Sequence, residues 1–224
     1  MNLFDTLGGA VQTGTTLVFS PLLRSWYNRW GATAEETAEP LPGDDLVPQF
    51  LMGYTHAITI QAPPECVWPW LVQLGQGRGG MYSFEGLENL IGCKMTNVDT
   101  VKPELQNPRI GEVIRMGPQG YPCFVVMSID ASRSFILISA NPKTDQAVAF
   151  EPHPEKGYSI ATWQFVLKPL PQGGTRLITR QRLAYSQDMK VIWRLTEPIG
   201  FVMERKMLRS IKRLAEKLSG QKTQ

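Results

Sequence analysis

Three sets of residues have the types and spacings that chemistry needs. Tyr82, Glu85 and Glu88 recur at i, i+3 and i+6, so a helix through them would put all three on one side. Beside an apolar cavity, burial would raise a glutamate's pKa and let it trade protons near neutrality. Glu85, flanked by Phe84 and Gly86, is the stronger acid/base candidate, with Tyr82 as its neighbour. On a solvated edge the same groups would only carry charge. In a β-rich segment, Arg176, Ile178, Arg180, Arg182 and Ala184 share one face, and Leu177, Thr179, Gln181 and Leu183 the other. Facing inward, Arg180 could clamp a carboxylate or polarise a carbonyl, the third catalytic candidate. Facing outward, the arginines are strand charges that discourage aggregation. Arg115 poses the same choice on residues 110–116. Finally, Trp163 and Phe165 share a strand face, while Trp70, Met203 and Met207 fall on apolar helical stripes. They form either ordinary core or an adaptable lining for an apolar ligand.

Other chemistries are excluded by context. Gly75-Gln76-Gly77-Arg78-Gly79-Gly80 satisfies G-x-G-x-x-G, but a dinucleotide fingerprint follows a strand and opens a helix. These glycines follow a helical stripe and read as a tight helix-to-helix connection. Cys66, Cys93 and Cys123 are dispersed and odd in number, and His56 and His153 are the only histidines. No ligand set for a metal is visible, and no cofactor is expected. Free thiols point to a reducing, cytoplasmic location.

The elements that must position these residues follow from periodicity. Residues 54–60 read as a strand stopped by Pro63-Pro64. Val67, Trp70, Leu71 and Leu74 then mark a short helix with Pro69 kinking it, and Met81, Phe84, Leu87 and Ile91 a second. After Pro108 come strand candidates at 110–116, 123–129, 134–140, 158–167 and 175–184, separated by turn formers, which predicts an antiparallel meander. Ile192, Leu195, Ile199, Met203, Met207, Ile211, Leu214 and Leu218 define a long terminal helix. Thr196 before Glu197-Pro198 reads as an internal N-cap, so the main helix is expected over residues 197–218.

Residues 57–68, Ala-Ile-Thr-Ile-Gln-Ala-Pro-Pro-Glu-Cys-Val-Trp, resemble the opening strand and first helix of the START-like (SRPBCC) superfamily. The runs at 68–73, 77–83 and 201–208 resemble its bacterial polyketide-cyclase/dehydrase-like branch, which the run at 29–33 also fits. The resemblance implies an α+β helix-grip fold, a curved antiparallel sheet around a long C-terminal helix, with two short helices and an internal cavity. It also implies three units: residues 1–52 as a helical segment and acidic Pro/Gly linker, 53–219 as the ligand-binding domain, and 220–224 as a tail. Because the superfamily spans carriers, receptors and cyclases, it does not specify one activity.

The chain of 224 residues carries 23 Lys and Arg against 20 Asp and Glu, a bias too small for a nucleic-acid binder. Residues 31–77 contain acids but no Lys or Arg, and the part before residue 53, broken by Pro40, Pro42, Gly43 and Pro48, reads as a linker with a solvated acidic face. Residues 204–217 hold six basic and two acidic groups opposite the apolar stripe. Residues 6–23 are uncharged, yet as a helix would reach only about 27 Å, and Trp26, Tyr27 and Trp30 alternate with Arg24 and Arg29 like an interfacial anchor. Residues 3–30 and the basic face of 204–217 are therefore the two candidate sites of peripheral membrane contact. Against them stand a helix docked on the domain and a solvated helix face. The leading expectation is a carrier or sensor of a hydrophobic small molecule such as a lipid, isoprenoid or polyketide-like compound. Its site would be drawn from Trp70, Tyr82, Glu85, Arg115, Trp163, Phe165, Arg180, Met203 and Met207. The alternatives are a metal-free cyclase/dehydratase acting through Glu85, Tyr82 or Arg180, and a membrane-associated adaptor.

Overall fold

The computed structural model describes residues 3–222. Helices α1 (Leu3–Val18), α2 (Ser20–Tyr27) and α3 (Ala34–Ala38) precede strand β1 (Met52–Ile60). Helices α4 (Pro64–Val72) and α5 (Glu85–Leu90) follow. Then come β2 (Val113–Arg115), β3 (Cys123–Asp130), β4 (Ser134–Ala140), β5 (Ser159–Pro169), β6 (Thr175–Tyr185) and α6 (Lys190–Lys222). The strands form one antiparallel sheet in the order β1-β6-β5-β4-β3-β2, so β1 closes onto β6 and the rest is a meander. This is a helix-grip-like α+β architecture.

Alternation decides which side chains meet α6. Ile60, Phe124, Phe135, Leu137, Trp163, Phe165, Leu167 and Leu177 point to the helix side and join Trp68, Trp70, Met207, Leu208 and Ile211 in one core. The opposite face is covered by residues 31–50. Leu41 packs on Ala57, Val166 and Ile178, and Val47 on Ile138, Ile160 and Ala184. Gly43 must be glycine: its φ is 88°, and a Cβ would sit 2.6 Å from the Ile136 side chain. The edge of β1 is partly closed, since Thr55 and Ala57 donate to the Asn28 and Trp30 carbonyls at 2.9 and 3.1 Å.

Several expectations change in detail. Residues 31–50 are a strap over the sheet rather than a solvated linker, because their acids meet the sheet's basic side chains. α6 runs unbroken through Pro198 for 33 residues. The Thr196 hydroxyl donates back to the Ile192 and Trp193 carbonyls, so it does not cap a new helix. Only the part of the stripe from Met203 onward is covered; Ile192, Leu195 and Ile199 are exposed because no sheet or helix lies over them. Residues up to Lys222 continue α6 into the expected tail, whose remainder lies outside the described residues. α5 starts at Glu85, so Tyr82 precedes it, with a left-handed φ of 54°, and shares no helical side with Glu85 and Glu88. The glycine run is the helix-to-helix connection expected: Gly75 pairs with Gly80, and Arg78 donates to the carbonyls of Val72, the last residue of α4, and of Leu74 just beyond it.

Candidate functional site

The arginine face of β6 points away from α6, onto the strap. Arg180, 5% exposed, donates to Thr55 Oγ1, to the Glu36, Thr37 and Glu39 carbonyls and to Asp44 Oδ2. Arg176 pairs with Glu36, Arg182 with Asp44, and Lys168 on β5 with Glu39. With its donors consumed by the strap, Arg180 holds the fold and is not presented to a ligand beneath α6. Arg115 likewise pairs with Asp145 at 2.5 Å.

Tyr82 and Glu85 also serve local structure. The Gln73 side-chain amide donates to the Tyr82 hydroxyl at 2.6 Å, and burial pushes that phenol up to about 12. A Glu85 carboxylate oxygen accepts from the Asn97 backbone N–H at 2.8 Å, pinning the loop after α5. Glu88, not Glu85, is the buried acid of this helix. Burial raises its pKa, partly opposed by the hydrogen bond from the Ser83 hydroxyl. Trp70 meets the Tyr82 ring edge-on at 6.0 Å within the core around α4.

The cluster of buried polar groups between sheet and helix is one that sequence reasoning missed. Glu204 on α6 is 5% exposed and faces the sheet. Its Oε1 accepts from Thr179 Oγ1 at 2.6 Å and from Trp163 Nε1 at 3.4 Å, and His56 Nδ1 lies 3.5 Å from Oε2. The Tyr54 side chain lies close enough to the carboxylate to influence its ionisation. Burial alone would raise the carboxyl's pKa, but His56, Thr179 and Tyr54 outweigh it and hold Glu204 below the usual carboxylate range. The same burial and the neighbouring negative charge push the Tyr54 phenol well up.

Geometry also locates a proton. His56 Nε2 is 2.8 Å from the Tyr27 carbonyl, which can only accept, so Nε2 carries hydrogen. Nδ1 faces Glu204 Oε2 at 3.5 Å and makes no hydrogen bond of its own. The His56 ring stacks on Tyr54 at 4.2 Å and meets Phe201 edge-on. Of the proposed lining residues, Trp163, Phe165 and Met207 converge on this side of the sheet, with Trp163 bonded to Glu204 itself. Met203 packs instead toward Phe84 and Phe201.

The interior is filled rather than hollow. Phe135, Phe165, Leu137 and Leu177 show no exposed surface, and Trp163, Trp70 and Met207 show 5% or less. Aromatic rings at 5.0–6.0 Å occupy the space where the expected cavity would lie. Two open depressions lie on the surface. One of about 520 Å³ is lined by Glu104, Arg109 and Glu112, and one of about 580 Å³ by Glu151, His153 and Tyr158. Tyr54 and its register partner Gln181 are only half-buried, so the polar cluster lies nearest to solvent at that end of β1 and β6.

A signal for this cluster exists in the chain. His56 alternates in phase with Ile58 and Ile60, and Glu204 stands in the helical row Phe201, Leu208, Ile211 and Ala215, an acid on a covered stripe. Glu204 is flanked in sequence by the basic residues Arg205 and Lys206, which masks its place on that stripe. The basic face is itself engaged: Arg205 and Arg209 lie over the Trp30 ring, Lys206 pairs with Asp5, and Lys212 donates to the Thr59 carbonyl.

No family model matches the chain, and no curated protein does. Solved structures of similar shape are distant. Protein NE0264 from Nitrosomonas europaea is 14% identical with a TM-score of 0.44, covering 80% of this chain and 99% of its own. Protein MLL2253 from Mesorhizobium loti is 16% identical with a TM-score of 0.42, covering 74% and 98%. The Aha1 dimer from Colwellia psychrerythraea is 13% identical at 0.39, covering 70% and 94%. At these scores they carry no functional weight; the strand order and terminal helix themselves define the helix-grip-like arrangement.

Proposed function

We infer that this is a START-like (SRPBCC-type) protein that binds a hydrophobic small molecule, such as a lipid, isoprenoid or polyketide-like compound. The ligand's polar end would meet Tyr54, His56 and Glu204. The observation that carries this reading is an ionised carboxylate and an imidazole kept inside an aromatic, methionine-containing interior. Burying a carboxylate costs free energy that apolar side chains of the same volume would not incur. Groups retained in this way collect at functional sites. The resemblance of residues 57–68, 68–73, 77–83 and 201–208 to that superfamily supports the same reading. Because the interior is packed, a ligand must displace side chains to enter. Met207 and the neighbouring Met203 adapt readily, and Val191, Ile192 and Leu195 in the first turns of α6 are exposed.

A cyclase/dehydratase reading draws on the same pair, with His56 and Glu204 as proton donor and acceptor in place of Glu85, Tyr82 and Arg180. Native mass spectrometry of gently purified protein tests the binding reading. Apolar adducts removable by organic extraction are expected, with less retained by Tyr54→Phe. Bare polypeptide mass, together with no thermal shift from fatty acids, isoprenols or aromatic polyketides, would reject it.

A further inference from the structure

We propose that α1, α2 and the first turns of α6 form a face that docks on an anionic lipid bilayer. α1 is mounted inside out. Leu7, Val11 and Val18 lie on one stripe of the helix and are 55%, 68% and 74% exposed. The opposite stripe, turned toward α5 and α6, holds small and polar residues. Asp5 pairs with Lys206, and Gly9 lies against Phe84 and Leu87, where a Cβ would come within 2.7 Å of the Phe84 ring. A helix serving only to cover the domain would turn its apolar stripe inward.

The apolar face continues beyond α1. Phe19, Leu22 and Trp26 are 49%, 82% and 51% exposed. α2 is tied to α6 by the Arg24–Glu197 pair at 2.9 Å and by Trp26 against Phe201. In the first turns of α6, N-terminal to Glu197, Val191, Ile192 and Leu195 are 69%, 52% and 55% exposed. Apolar side chains this exposed on three neighbouring helices mark an interaction site.

Charge selects the occupant. Within residues 3–30 and 190–200, Asp5 is neutralised by Lys206, and Arg24 and Glu197 neutralise each other. Arg29, Lys190 and Arg194 have no ion-pair partner among the described residues, and all are basic. A second copy would bring like charges together, whereas anionic headgroups complement them. α1, at 16 residues, extends about 24 Å and lies along a bilayer surface. No described helix is long and apolar enough to cross a membrane.

The proposal does not depend on ligand binding, and native mass spectrometry and vesicle flotation fail separately. The full chain should float with phosphatidylcholine vesicles containing phosphatidylglycerol, and only weakly with phosphatidylcholine alone. V11S/V18S/L22S alters exposed side chains, so it should melt like wild type yet bind at least ~10-fold less. K190Q/R194Q should lose roughly 10-fold, on the anionic vesicles alone. Failure of the wild type to float, equal flotation of either variant, or a concentration-dependent dimer abolished by V11S/V18S/L22S would overturn the proposal.

Discussion

Arg180 shows how one side chain changes meaning with its side of the sheet. Its five acceptors all belong to β1 or the strap, and four lie between Glu36 and Asp44. Truncation would take a charged donor from those backbone carbonyls and leave Asp44 to Arg182, Gln164 and the Leu41 N–H. Arg180→Ala should therefore cost about 3 kcal/mol in urea unfolding. It should also open residues 36–48 to a glutamate-specific protease, for which Glu36 and Glu39 are cut sites. Unchanged urea midpoint and protease resistance would show that the strap is held by Leu41 and Val47 alone. The alternation of residues 176–184 was legible in the sequence; its direction was not, because each face carries both apolar and polar residues and only the strap gives the arginines partners.

At the scale of elements, the N-terminal helices divide into one that the domain needs little and one that it needs. α1 contributes mainly cover for Phe84 and Leu87. α2 and the residues after it supply Tyr27, Trp30, the carbonyl acceptor of His56, and the Asn28 and Trp30 carbonyls along β1. A chain starting at residue 19 should melt about 5 °C below the full chain. A chain starting at residue 31 should fail to fold cooperatively, leaving His56 Nε2 and the β1 edge without partners. Equal melting temperatures for the two would contradict this division. The same division separates the apolar stripe of α1, which faces outward, from the Tyr27 side of α2, which faces the core.

For the whole molecule, the two buried glutamates set opposite pH dependences. The folded-state pKa of Glu204 is lowered, so its contribution is present above the unfolded value near 4.5 and is lost as pH falls through the folded value. Breaking the pair in Glu204→Gln should cost about 3 kcal/mol at pH 7, and the difference from wild type should shrink below about pH 4. Glu88 is raised, so its contribution is present below about 4.5 and is lost as pH rises through the folded value. Glu88→Gln keeps a hydrogen-bond acceptor for Ser83 and should gain about 1 kcal/mol at pH 7–8 and nothing near pH 4. Thermal melts of both variants across pH 3.5–8 check the two signs; parallel curves would exclude either glutamate as a source of the dependence.

Period-two alternation, turn residues and the helical stripe were enough to lay out the meander and the terminal helix. Local patterning reports which residues share a face, and β3 to β6 emerged within a few residues of their expected bounds. What local pattern cannot report is what lies against each face. Acids at 36, 39 and 44 became strap contacts only when the chain folded back across the sheet. Pro198 did not end α6, and Glu204 became an interior acid only because His56, Thr179 and Trp163, distant in sequence, were brought to it. The sequence by itself determined the elements and their order, since those follow from short-range sterics and periodicity. Only the tertiary structure decided which polar groups were buried together and that side chains filled the interior, since both depend on contacts between distant parts of the chain.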